Sequence, residues 1–156
     1  MTERADVLLV CNSGGHLAQL VALREAWEPF RRCWVVPDTS DTRSLLAHER
    51  VAHASHPTTR NLPNLVRNLR LAVRVLYVER PSVVVTTGAG VAVPFAWLAR
   101  AFGAKVVWIE SFTRVHQPSL SCRLVAPIAS RTYVQWPELV ARVSRSRYVG
   151  SVFADP

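Results

Sequence analysis

Near its N-terminus the chain reads Val7-Leu8-Leu9-Val10-Cys11-Asn12-Ser13-Gly14-Gly15-His16. An apolar run stops at a polar pair, two glycines and a histidine, and a helical pattern follows (Leu17, Leu20, Val21, Leu23). That order is strand, glycine loop, helix N-terminus. Glycines let a backbone come close to a ligand, and the free N–H groups of a helix start favour anions, diphosphates above all. His16 sits where a side chain reaches the same guest. Gly14-Gly15 is not the full dinucleotide fingerprint, so a plain tight connection is the competing reading.

Working outward, short β-rich runs alternate with helical patterns. Strands are expected at Asp6–Cys11, Cys33–Val36, Val51–Ala54, Val83–Thr87, Lys105–Ile109, Thr132–Gln135 and Tyr148–Val149. Helices are expected at Leu17–Trp27, Thr42–Arg50, Leu62–Val78, Val91–Phe102 and Leu120–Ala129, and Pro137 suits the start of a short one. The runs Val7–Val10, Val83–Val85 and Val106–Ile109 are continuously apolar, as strands buried on both faces are. The fold class that follows is α/β: a doubly wound, Rossmann-like parallel sheet forming a single domain over residues 1–156. Ligands of such sheets bind beyond the carboxyl ends of the strands, at the topological switch point.

Composition sets limits on function. The chain has 156 residues, 49% apolar and 19% charged, with a net charge of +8. That suits one globular domain with a proper core. The cations are eighteen arginines and the single Lys105, a ratio that favours bidentate contacts to phosphate or carboxylate, or that reflects codon usage alone. Cys11, Cys33 and Cys122 are too few and too scattered for a disulfide framework or a zinc site. His48, His53, His56 and His116 lack a metal-ligand rhythm, so no metal and no cofactor are expected. No secretory signal or uninterrupted membrane span is read, and a cytoplasmic chain is expected. The charge alone allows nucleic acid, but aromatic and basic residues are not interleaved as in RNA-binding modules, and no nucleic acid is expected.

Three further loops sit where ligands bind. After Val83–Thr87 comes a second glycine loop, Thr87-Gly88-Ala89-Gly90-Val91, either a second donor of backbone N–H groups or a site of close helix–strand packing. Glu110 directly follows the strand Lys105–Ile109. It is a candidate base or hydroxyl acceptor, or else a capping or ion-paired residue, with Arg114 or Arg123 as partner. Arg114 is placed to hold a phosphate, and Ser111 shares its loop. Gln135 can hydrogen-bond a ligand, while Trp136 reads as packing. Between Arg60 and Arg80, Leu62, Leu65, Val66, Leu69, Val73, Leu76 and Tyr77 recur at helical spacing, and Arg67, Arg70 and Arg74 share one face. Such a helix either lies on an anionic membrane or presents a solvated face above an ordinary core stripe.

Four ordered blocks give this pattern a family likeness: Asn12-Ser13-Gly14-Gly15-His16-Leu17, Thr86-Thr87-Gly88-Ala89-Gly90-Val91-Ala92-Val93-Pro94, Ile109-Glu110-Ser111-Phe112-Thr113-Arg114-Val115 and Val134-Gln135-Trp136-Pro137-Glu138-Leu139. Together with the closing Tyr148–Phe153 segment, they resemble the asparagine-linked-glycosylation-fourteen family and its bacterial exopolysaccharide relatives of the PssD type. The resemblance implies the N-terminal, acceptor-side half of a two-domain GT-B glycosyltransferase similar to MurG, whose nucleotide-sugar half is a separate polypeptide. It implies a sugar on a polyprenyl diphosphate as acceptor, and a nucleotide sugar, UDP-linked, as donor. On that basis His16 and Glu110 are the catalytic candidates. Ser13, Gly14, Gly15, Thr87, Gly88, Gly90, Ser111, Arg114 and Gln135 are the candidates for binding the acceptor's diphosphate and sugar. Arg67, Arg70 and Arg74 are the candidates for peripheral contact with the inner face of the plasma membrane, the eukaryotic pattern of an N-terminal membrane helix being absent. The alternative is a non-catalytic phosphate- or nucleotide-binding scaffold built on the same loops.

Overall fold

A computed structural model describes residues 4–58 and 61–153; Arg60, at the start of the basic segment, lies outside them. Seven parallel strands form one sheet in the order β3-β2-β1-β4-β5-β6-β7. They are β1 (Val7–Val10), β2 (Arg32–Pro37), β3 (Val51–Ala54), β4 (Val83–Thr86), β5 (Lys105–Ile109), β6 (Arg131–Val134) and β7 (Ser146–Tyr148). The doubly wound expectation holds, and the strand order reverses between β1 and β4. The two glycine loops leave the carboxyl ends of those two strands, the position where open α/β sheets bind ligands.

Strand alternation sends neighbours to opposite layers. Leu8 and Val10 pack with Val35, Val84, Val106 and Trp108 under the helices α4 (Leu62–Glu79), α5 (Ala92–Ala101) and α6 (Leu120–Val125). Val7 and Leu9 pack with Leu17, Leu20, Trp34 and Leu46 under α1 (Gly15–Ala22), α2 (Arg24–Trp27) and α3 (Ser40–Leu45). The expected helix Leu17–Trp27 is broken at Leu23, which brings Trp27 back so that its indole N–H donates to the Leu20 carbonyl at 2.8 Å. Helix α3 starts and ends earlier than expected because a Thr39–Thr42 capping box fixes its first turn. Helix α6 ends at Val125, where a longer helix was expected; Ala126 keeps helical dihedrals, and Pro127 after it has no N–H to extend the ladder.

Two faces depart from the sequence reading. Helices α1 to α3 cover only the β1–β3 half of their side of the sheet. Beyond it Val83, Val85 and Val107 are only half-buried, where continuous burial was expected. With Ile109, Tyr133, Trp27, Phe30 and Val152 they line an apolar groove of about 720 Å³.

Helix α4 is turned over relative to its apolar stripe. Its buried face is Asn64, Asn68, Ala72, Val75, Leu76 and Glu79. Leu62, Leu65, Val66, Leu69, Val73 and Tyr77 are between 43% and 75% exposed. Of the expected stripe only Leu76 is buried in the core, so most of this pattern is not an ordinary core stripe. The inward asparagines are fully used. The Asn68 carboxamide accepts from the Ser55 N–H at 2.7 Å and donates to the Ser55 carbonyl at 3.0 Å. Asn64 donates to the Pro57 carbonyl at 3.0 Å. They pin the β3–α4 loop against the second glycine loop, where a Cβ on Gly90 would stand 2.7 Å from the Thr58 carbonyl oxygen.

This inverted helix reverses the usual mutational rule. Asn68→Ala leaves two buried backbone groups unpaired and should cost roughly 1–3 kcal/mol. Leu69→Ala on the outward stripe should stay within about 0.5 kcal/mol. Urea unfolding of the two variants measures both; equal losses would show that α4 packs the other way round.

Candidate active site at the β1–β4 switch point

The loops after β1 and β4 are joined by a reciprocal pair of hydrogen bonds. The Thr87 hydroxyl donates to the His16 carbonyl at 2.7 Å, and His16 Nδ1 lies 2.8 Å from the Thr87 carbonyl oxygen. A carbonyl only accepts, so Nδ1 carries the proton. In the neutral ring the lone pair is then on Nε2. A backbone contact thus fixes the tautomer a general base needs, the second-partner logic by which histidines are oriented. His16 is partly exposed, with Gly14 and Gly15 open to solvent beside it and Ser13 at the lip.

Gly88 has φ +102°, and a Cβ there would lie 3.3 Å from the Trp108 ring and 3.5 Å from His16 Cε1. Its role is to let the histidine ring lie flat against the second loop, held from behind by a buried tryptophan. Its N–H donates to the Thr86 hydroxyl at 2.9 Å, and Gly90 is shaped by the Thr58 backbone. Of the expected four-glycine cradle, Gly88 has its N–H spent inside its own loop, while Gly90 combines an unengaged N–H with close packing on Thr58. At the first loop the Gly14 N–H is also taken, donating to Asp41 Oδ2 at 2.8 Å. The anion-binding donors left are the N–H groups of Gly15, His16 and Leu17 at the start of α1 and of Ala89, Gly90 and Val91 in the loop before α5; within α5 the Ala92 and Val93 N–H groups donate to the Ala89 and Gly90 carbonyls, and Pro94 has none. Neither α1 nor α5 has an acidic residue or a side-chain cap in its first turn.

Asp41 was not foreseen. The Thr39 hydroxyl, then the Gly14 N–H, hold its carboxyl below the usual carboxylate range, so it is charged at neutral pH. A fixed negative charge thus stands beside α1. Its sequence signal was the Thr39-Ser40-Asp41-Thr42 capping pattern.

Glu110 and Gln135 sit at the strand ends expected of them, but neither faces the crevice with a free group. Glu110 is 1% exposed. One carboxyl oxygen accepts from the Ser111 N–H at 2.8 Å, and the other from the Ser119 N–H at 3.0 Å and the Ser119 hydroxyl at 2.9 Å. The Ser119 oxygen in turn caps α6 through the Cys122 N–H. Burial, reinforced by the Glu110 charge, pushes the Cys122 thiol far up, so this cysteine is inert. The role of base is corrected for Glu110: its acceptors are spent on closing the 111–119 loop, the capping alternative read from the sequence.

Gln135, 2% exposed, donates to the Glu110 carbonyl at 3.0 Å and to Gln19 Oε1 at 2.6 Å. It accepts from the Val152 N–H at 2.9 Å. Gln19 also accepts from the Phe112 N–H at 2.8 Å and donates to the Gly15 carbonyl at 2.9 Å. Gln135 is therefore corrected from ligand contact to tie. With Gln19, a polar residue interrupting an apolar helix, it locks the glycine helix, the 110–113 loop and the 151–152 segment together. Ser111 is buried, with its hydroxyl 3.0 Å from that of Thr113, and the Thr87 hydroxyl is spent on His16. Arg114 lies exposed on the turn closed by its N–H to the Ser111 carbonyl. Among the described residues no three His, Cys, Asp or Glu side chains cluster as a metal ion would require.

These assignments separate by mutation. Glu110→Ala should destabilise the fold by about 2–4 kcal/mol, as expected when buried donors lose their acceptor. His16→Ala should leave the melting temperature nearly unchanged. Thermal unfolding of both variants checks this, and a neutral Glu110→Ala would return that residue to the list of free bases.

With the geometry in hand, the chain can be set beside known proteins. Residues 7–152 match the family model described as oligosaccharide biosynthesis protein Alg14 like. The UDP-N-acetylglucosamine transferase subunit ALG14 of Debaryomyces hansenii is 26% identical over 176 residues, covering 94% of this chain and 75% of that protein. The human protein of the same name is 24% identical, with 96% and 84% covered. Among solved structures, MurG of Acinetobacter baumannii superposes with a TM-score of 0.75 at 15% identity, over 96% of this chain and 47% of MurG. A UDP-N-acetylglucosamine 2-epimerase from Rickettsia bellii gives 0.71 at 12% identity, over 94% and 44%. At such identities the likeness is one of fold, and the chain spans about half the length of these two structures. The match over residues 7–152, nearly the whole chain, makes this protein a member of the Alg14-like family.

Proposed function

We propose that this chain is the acceptor-binding subunit of a two-component glycosyltransferase. It presents a hydroxyl of a sugar on a polyprenyl diphosphate to a nucleotide sugar, UDP-linked, held by a separate donor-binding subunit, in the assembly of cell-surface polysaccharide. The observation that carries the reading is the His16 ring, its proton held on Nδ1 by Thr87 and its other nitrogen left for the crevice.

The chemistry follows from that arrangement. Nε2 of His16 accepts the proton of the acceptor hydroxyl as its oxygen attacks the anomeric carbon of the donor sugar. The new C–O bond forms while the bond from that carbon to the nucleotide diphosphate breaks, and the diphosphate leaves with the electron pair. A positioned base of this kind contributes about 10²–10⁴-fold. The acceptor's diphosphate is drawn to the Ala89, Gly90 and Val91 N–H groups just before α5, with Arg114 as its side-chain counterion. Asp41, charged beside α1, suits sugar hydroxyls rather than phosphate. Recruitment of the donor subunit is supported by the uncovered sheet face, where Val83, Val85, Val107 and Ile109 line an apolar groove.

Co-expression with a donor-binding subunit, followed by transfer from UDP-sugars to a polyprenyl-diphosphate sugar, tests the reading. His16→Ala should lose turnover by about 10²-fold or more with the complex intact. Val85→Asp or Val107→Asp in the groove should prevent co-purification. Unchanged transfer with His16→Ala would move the base to the other subunit and leave this chain a scaffold.

A further inference from the structure

Asp41 stands beside the first glycine loop with a charge that no cation neutralises among the described residues. Asp6, Glu28, Asp38, Glu49 and Glu79 each pair with an arginine. Arg43, two residues from Asp41, pairs with Asp38 at 3.6 Å instead. An acid in the first turn of a helix ordinarily serves that helix. In α3 the first turn is already closed by the Thr39–Thr42 capping box, and the Asp41 side chain reaches across to another loop. Its Oδ1 accepts from the Thr39 hydroxyl at 2.5 Å and its Oδ2 from the Gly14 N–H at 2.8 Å. These two bonds fix the direction of the carboxylate and leave acceptor capacity on both oxygens.

The loop beside this carboxylate is an open floor. Gly14 and Gly15 are exposed, and a Cβ on either would meet nothing within 4 Å. Asp41, half-buried, borders the floor on the β2 side, and His16 with the second glycine loop borders it on the β4 side. Strand β1 lies between β2 and β4, so the ends of those two strands are about 10 Å apart. That span takes one sugar ring and its first phosphate between Asp41 and the Ala89–Val91 N–H groups. The polarity of the two rims orients such a guest: phosphate is repelled from the carboxylate and held by the N–H groups, while hydroxyls are what the carboxylate accepts. Doubly wound sheets that bind dinucleotides use the same device, an acid about 20 residues beyond the first glycine loop that holds a ribose hydroxyl. Asp41 lies 27 residues beyond Gly14. We propose that Asp41 is a specificity-determining residue for the acceptor: its carboxylate receives hydroxyls of an uncharged sugar lying over Gly14 and Gly15, and it disfavours a sugar that itself carries a carboxylate. The proposal rests on the lipid-linked acceptor reading above and names the class of sugar that this reading left open.

The test is calorimetric titration of the full chain, with no nucleotide sugar and no donor subunit, using three water-soluble short-chain lipids. They are a bare prenyl diphosphate, the same lipid bearing glucose, and the same lipid bearing glucuronic acid. The unmodified chain should bind the glucosyl lipid more tightly than the bare one, and the glucuronosyl lipid several-fold more weakly than the glucosyl one. Asp41→Asn keeps an oxygen for the Gly14 N–H and removes the charge. It should weaken the glucosyl lipid roughly tenfold to a hundredfold, as loss of hydrogen bonds to a charged acceptor does. It should leave the bare lipid no weaker and erase the difference between the two sugars. Thermal unfolding of the variant should be nearly unchanged, since the side chain is partly exposed. A sugar preference that Asp41→Asn does not move overturns the inference, as does a glucosyl lipid that the unmodified chain binds no better than the bare one. Equal weakening of the bare and glucosyl lipids also overturns it, because Asp41 would then only shape the loop. In each of these cases the bare lipid still binds and the lipid-linked acceptor reading stands. A chain that binds none of the three lipids refutes that reading, and this inference with it.

Discussion

The site depends on two hydrogen bonds made in opposite directions between the same two residues. One ties the Thr87 side chain to the His16 backbone, the other ties the His16 side chain to the Thr87 backbone. They cross the gap between β1 and β4, the one place in the sheet where successive loops diverge and leave room for a ligand. The pair closes the base of that gap, sets the orientation of the imidazole and fixes which of its nitrogens faces outward. Gly88 suits it because its φ of +102° disfavours any other residue and a Cβ there would press on the Trp108 ring at 3.3 Å. Around this contact, Gln19, Glu110 and Gln135 form a buried polar framework that uses nearly all of its donors and acceptors on backbone. Such networks rigidify when fully satisfied, and this one leaves His16 as the partly exposed exception.

Much of this architecture is legible in sequence. Continuous apolar runs at β1 and β5, glycine loops after β1 and β4, and an intervening helical pattern each time lead directly to a doubly wound parallel sheet with its crevice at the switch point. The lines that sequence could not settle are questions of direction. Glu110 and Gln135 were placed correctly at strand ends. Whether an end residue points into the crevice or back into its own loop depends on which donors surround it, and those come from Ser119, Gln19 and Val152, distant in sequence. Asp41 went unnoticed for the same reason: its partner, the Gly14 N–H, belongs to another loop. Helix α4 shows the limit most sharply. Hydrophobic periodicity reports that a stripe exists, not which way it turns. Two asparagines at helical spacing, satisfied by backbone of the preceding loop, decide that the stripe faces out.

Two surfaces remain open once the fold is complete: the apolar groove over β4, β5 and β6, and the outward face of α4. They lie on opposite layers of the sheet, since α4 packs on one layer and the groove is on the other. A chain built to be finished alone would cover the first with a further helix and place arginine or glutamate on the second. Under the proposed function, the groove is the face offered to the donor-binding subunit.

The most direct measurement is nuclear magnetic resonance of the chain titrated with a short-chain, water-soluble polyprenyl-diphosphate sugar, following backbone amides and the His16 ring nitrogens together. The account expects saturable shifts of the amides of residues 15–17 and 89–92 and of His16 Nε2, with the Nδ1 proton retained throughout. Saturable binding that leaves these resonances still while shifting others, or a ring whose proton resides on Nε2 in the free protein, would contradict it.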